Sequence, residues 1–215
     1  MSEFVVSVRQ FLIWVLSGVT IQNLMLTRMA GAGRLYRDYT LKERRAYYLL
    51  LLLCSMLSAG GFWALCKYVL PHLSFLEQFG VTEYYAHAYL WPLLSGITLM
   101  VVFLIVFVAA VKFAPFEKMP IAIQMLPYVC FSNLMQAIHF RSAALGMTLP
   151  RTLALALGNS IGVCLMDCLV RVARDRMKDA GGPEAVQGVP RLLVYLAGLS
   201  LVAYALGGQG LATLM

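Results

Sequence analysis

Apolar residues run nearly unbroken through six stretches, about 4–27, 46–70, 90–112, 119–138, 150–171 and 190–213, and polar residues collect between them. A helix crosses ~30 Å of hydrocarbon with roughly 20 residues at ~1.5 Å rise each. Lipid offers no hydrogen bonds, so each stretch must satisfy its own backbone as a helix. The pattern therefore predicts an all-α membrane protein with six transmembrane helices. Pro115, Pro120 and Pro127 flank and interrupt the fourth stretch, so a broken helix is expected there.

Two apolar stretches carry an echo: Ile21-Gln22-Asn23-Leu24-Met25 and Phe131-Ser132-Asn133-Leu134-Met135. A shared Asn-Leu-Met also arises by chance. Three predicted crossings separate the two asparagines, however, and an odd number turns the second copy upside down relative to the first. Such inverted repeats place a transfer pathway at the membrane midplane. The expected organisation is one integral membrane domain of two inverted three-helix repeats, 1–112 and 113–215, with the first and fourth helices broken.

Composition excludes a soluble domain. The 215 residues are 61% apolar and only 13% charged, with mean hydropathy +0.78, whereas soluble chains carry about 25% charged residues. The start, Met1-Ser2-Glu3-Phe4, lacks the basic region of a secretory signal, so the first stretch reads as a retained span. Cysteines 54, 66, 130, 164 and 168 all fall in predicted spans and form no C-x-x-C pair. Neither a disulfide framework nor a zinc ribbon is indicated.

The net charge of +7 is unevenly placed. Arg28, Arg34, Arg37, Lys42, Arg44 and Arg45 lie in the first connection, Lys112 and Lys118 in the third. The fifth holds Arg171, Arg174, Arg176, Lys178 and Arg191, so these three connections contain 13 of the 17 basic residues. The second connection has no Lys or Arg and carries Glu77 and Glu83. Positive charge marks the cytoplasmic side, which puts both termini outside. The basic residues are thus orientation signals and anionic-lipid contacts, not a nucleic-acid surface.

Several motifs resemble a known family. They are Asn23-(x)7-Gly31, Leu126-Pro127-(x)5-Asn133, and the C-terminal series Gly162-(x)11-Arg174-Asp175-Arg176, Gln187-Gly188-(x)2-Arg191, Ala197-Gly198-Leu199 and Gly207-(x)2-Gly210. Together they are similar to the six-helix subunits of the Rnf electron transport complex and the sodium-translocating NADH:quinone reductase. The orientation resembles the Rnf A-subunit and Nqr E-subunit type. The resemblance implies an oppositely oriented paralogous partner, further Rnf/Nqr-type subunits and a bacterial cytoplasmic membrane. It also implies coupling to Na+ or H+ movement, and a [2Fe–2S] cluster held at the midplane by two cysteines from each of the paired subunits. At the family's two ligand positions this chain has Gly33 and Leu134, neither of which binds iron. No cofactor is expected for this chain, and electron transfer through it is placed in doubt. Cys130 lies one turn from Leu134, and Cys164 and Cys168 are one turn apart; they are weak substitutes, since buried cysteines are ordinary packing residues.

Other polar residues inside the apolar stretches have two readings each. Asp167 is either a proton- or cation-handling group or the i+4 partner of Arg171, the latter preferred. Gln22, Asn23, Ser132, Asn133 and Gln136 either satisfy backbone freed by a helix break or line a narrow cation path. His139-Phe140-Arg141 is either an interfacial anchor or a proton relay, the former preferred. Ala154, Gly158 and Gly162 form a small-residue stripe suited to close helix contact, as do Ala197 and Gly198. Three functions remain open. The first is a scaffold or ion-pathway subunit of an Rnf/Nqr-type redox-driven complex, non-catalytic by itself. The second is a small inverted-repeat transporter without redox chemistry, and the third a structural homodimer.

Overall fold

The computed structural model of the chain describes residues 2–20, 23–24, 40–69, 72, 83–113, 119–179 and 189–212. Among these residues there are seven helices and no strand: α1 (Ser2–Val19), α2 (Leu41–Tyr68), α3 (Glu83–Phe113), α4 (Met119–Cys130), α5 (Asn133–Ala144), α6 (Leu149–Asp179) and α7 (Val189–Ala212). Three are long and apolar enough to cross a membrane: Leu41–Tyr68, Tyr89–Phe113 and Leu149–Met177. The fourth predicted stretch is a bent pair, Pro120–Cys130 and Asn133–Ala144, with 44° between its halves. The first and sixth predicted stretches hold α1 and α7, whose described side chains form apolar runs over Val8–Val19 and Pro190–Val202.

Local chemistry explains the ends. Thr40 starts α2 with a capping box: its backbone N–H donates to Glu43 Oε2 at 2.8 Å, and its hydroxyl accepts from the Glu43 N–H at 3.4 Å. Such a cap is worth about 1 kcal/mol. At the other extreme, α4 stops at Cys130 because Ser132 is extended, with φ −75° and ψ 144°. The Phe131 N–H still bonds the Pro127 carbonyl at 3.0 Å, and the Ser132 N–H takes the tighter bond to Val129 at 3.3 Å.

The chain forms two compact units, Tyr39–Leu157 and the pairing of Met1–Asp38 with Gly158–Met215. In the first, α2 packs on α3, α4 and α5, and α3 on α4 and α5. Leu51, Phe62, Leu99, Met125, Leu126 and Ile138 are buried between them. The outward faces are apolar as well: Leu49, Leu53 and Leu57 on α2, and Leu93, Ile97, Val101, Leu104 and Val108 on α3, are exposed. Belts of this size would drive association in water, and they match acyl chains. This is a helical membrane protein. In the second unit, Arg191 Nη1 donates to the Met177 carbonyl at 3.2 Å, tying the start of α7 to the end of α6.

Candidate functional site at the helix breaks

Polar groups deep in an apolar bundle must find partners, and they gather where helices stop. In the unit containing α1, the helix ends at Val19, and Thr20 closes it by donating its hydroxyl to the Leu16 carbonyl at 2.8 Å. Asn23 is fully buried, and its amide Nδ2 donates to the Val19 carbonyl at 3.0 Å. Asn159 of α6, also fully buried, accepts the Leu24 N–H on its Oδ1 at 2.7 Å. Two amides thus satisfy backbone groups on either side of the stop, which is the work a lipid-embedded break requires.

Small residues allow this approach. Gly158 and Gly162 of α6 are buried beneath the end of α1. A methyl at Gly158 would overlap the Val15 carbonyl oxygen and stand 3.0 Å from Gly18 Cα, and one at Gly162 would stand 2.5 Å from Asn23 Nδ2. That half of the small-residue stripe serves a contact inside the chain. Ala197 and Gly198 of α7 are exposed.

The second break lies in the other unit. Cys130, the last residue of α4, is fully buried, and its Sγ is 3.7 Å from Sγ of Cys54 on α2, with both thiols free. Leu134 and Met135 are buried in the first turn of α5, whereas Asn133 and Gln136 are exposed. The Ser132 hydroxyl is buried with no hydrogen-bond partner. Three residues or so separate each helix end from the asparagine that follows: Val19 from Asn23, Cys130 from Asn133. Comparison with known proteins yields no matching family model and no matching curated protein.

Of the two ligand positions that the resemblance implies, the structure describes one, Leu134. Leu134 presents a buried aliphatic side chain at one of the family's ligand positions, and Gly33 and Gln22 lie outside the described residues. Among the described residues no three His, Cys, Asp or Glu side chains converge, and Cys54 with Cys130 is a pair of thiols that meets at the break. On α6, Cys164 is half-buried and Cys168 exposed. Asp167 Oδ2 accepts from Arg171 Nε at 3.1 Å, an i,i+4 pair. Its carboxylate therefore has a local counter-charge.

His139 differs from its sequence reading. Rather than anchoring at an interface, it is fully buried, stacked on Phe62 with ring centroids 4.5 Å apart and planes 7° from parallel. Its Nδ1 lies 2.8 Å from the Ser95 hydroxyl, and Nε2 is buried with no partner of hydrogen-bond geometry. The reason is the break: α5 restarts at Asn133, so His139 falls in its middle and turns into the bundle. Asn159 was also missed, though an amide within an apolar segment is the signal that singled out Asn23.

Proposed function

We propose that the chain is a scaffold subunit of an Rnf/Nqr-type membrane complex, one half of a heterodimer with an oppositely oriented paralogue. One observation carries the reading. The broken span exposes Gln124, Asn133 and Gln136 beside Tyr128 and Phe131, and these three amides make no hydrogen bond among the described residues. An unpaired amide in hydrocarbon costs about 1–3 kcal/mol even by protein-based scales. Amides exposed along a span are better matched by another polypeptide than by acyl chains. The helix stops before Asn23 and Asn133 support the paired, inverted arrangement that such a partner would mirror.

In this reading the chain orients its partner at the midplane and contributes polar groups beside an Na+ or H+ route. It supplies no thiolate at the family's ligand positions. A small inverted-repeat transporter without redox chemistry is the second reading, favoured by the apolar Leu134 at the break. Purifying the full chain from its native membranes in mild detergent separates the two. The expected result is stoichiometric recovery of a paralogous six-helix chain with flavin-bearing and ferredoxin-type subunits. Replacing Asn133 and Gln136 by Leu should abolish that recovery while leaving the chain folded. If the pair of leucines leaves the assembly intact, or the chain purifies alone, the subunit reading fails.

A further inference from the structure

A cleft of about 280 Å³ opens where the last turn of α2, the early part of α3 and the end of α5 meet, all within the Tyr39–Leu157 unit. Phe62, Trp63, Cys66, Lys67, Trp91 and Met147 are among its lining residues. Its depth in the bilayer follows from the spans. Lys67 is the penultimate residue of the Leu41–Tyr68 crossing, and Trp91 lies at the start of the apolar stretch 90–112. Both mark the level where hydrocarbon gives way to headgroups, the level at which Trp, Tyr and Lys anchor.

Two contacts pre-shape this cleft. Trp63 Nε1 donates to the Met147 carbonyl at 3.1 Å, fixing the indole as a wall. The Lys67 ammonium then lies 4.8 Å from the centroid of that indole and 5.6 Å from the ring of Tyr68. Cation–π contact holds the charge at the rim. Among the described residues no carboxylate lines the cleft and Lys67 has no acidic partner. A cation over an apolar, aromatic-walled recess is complementary to an anion with an apolar body attached.

We infer that this cleft binds the headgroup of an anionic phospholipid, with the phosphate on Lys67 and the glycerol and first methylenes against Phe62, Trp63 and Trp91. A zwitterionic lipid would bring its own ammonium beside Lys67 and bind less well. Its described lining comes from this chain alone.

Tryptophan emission reads this directly, because the chain has three tryptophans and two line the cleft. The full chain carrying Trp14→Phe is reconstituted in phosphatidylcholine vesicles holding a minor fraction of lipid brominated near the head of its acyl chains. Brominated phosphatidylglycerol should quench with a relative association constant about fivefold above brominated phosphatidylcholine, the preference expected of one interfacial lysine. Lys67→Gln should remove the preference and Lys67→Arg keep it. Equal quenching by the two lipids in the unsubstituted cleft overturns the proposal, whatever the variants do. So does a preference that survives Lys67→Gln in folded protein. Displacement of the quenching by millimolar glycerol phosphate or inorganic phosphate would assign the cleft to a free anion instead, and would equally overturn it.

Discussion

Gly158→Ala gives the sharpest test of the packing, because the sign of its effect depends on where α1 lies. On a free helix surface, alanine in place of glycine gains about 1 kcal/mol of helix propensity. Beneath α1 the added methyl meets the Val15 carbonyl and the Gly18 Cα, backbone atoms that cannot rotate aside. That places the overpacking loss at the upper end of the usual ~1–3 kcal/mol. Subtracting the propensity gain leaves a net loss of ~2 kcal/mol, or a melting temperature lower by roughly 4–8 °C for a chain of this size. Gly96→Ala is the internal control, since a Cβ there meets nothing within 4 Å, and it should raise the midpoint by about 2–4 °C. Intrinsic fluorescence in detergent micelles measures both. A Gly158→Ala chain that melts at or above the unsubstituted protein would mean that α1 does not seat on α6.

Three further outcomes are expected. Asn159→Leu strands the buried Leu24 N–H and should cost about 1–3 kcal/mol in the same melt, with Asn159→Asp, which keeps an acceptor oxygen, losing less; equal losses would argue against a hydrogen-bonding role. Asp167→Asn weakens the partly exposed pair with Arg171, a loss worth no more than about 0.5 kcal/mol, and on the proposed subunit reading ion movement by the assembled complex should be unchanged. Loss of that movement would make Asp167 a pathway group. Cysteines placed at Arg37 and Gln187 should label with an impermeant maleimide from the cytoplasmic side, and those at Gln78 and Thr148 from the other, in a background without the natural thiols. Opposite-side labelling of the first pair would break the inverted repeat.

Much of the helical layout is legible in the chain because lipid removes the usual ambiguity: an apolar run of this length has no alternative to a helix. Pro120 and Pro127 also marked the broken span, and the bend falls just beyond Pro127, at Phe131 and Ser132. What could not be read depends on contacts remote in sequence. Cys54 and Cys130 meet across 76 residues, and Asn159 reaches the Leu24 N–H across 135; nothing local to either position signals its partner. His139 illustrates a different difficulty. Counting along an unbroken fourth helix places it at a membrane boundary, but restarting the helix at Asn133 rotates it onto Phe62 and Ser95. A short interruption redirects every side chain after it.

On the proposed subunit reading, the exposed amides of the fourth span also bear on the life of the chain before assembly. A newly inserted copy would hold unmatched polar groups against lipid tails and so be a substrate for the quality-control proteases that survey the bilayer. Its steady-state amount would then follow that of whatever covers Gln124, Asn133 and Gln136, and overproducing it alone would yield rapid turnover instead of accumulation.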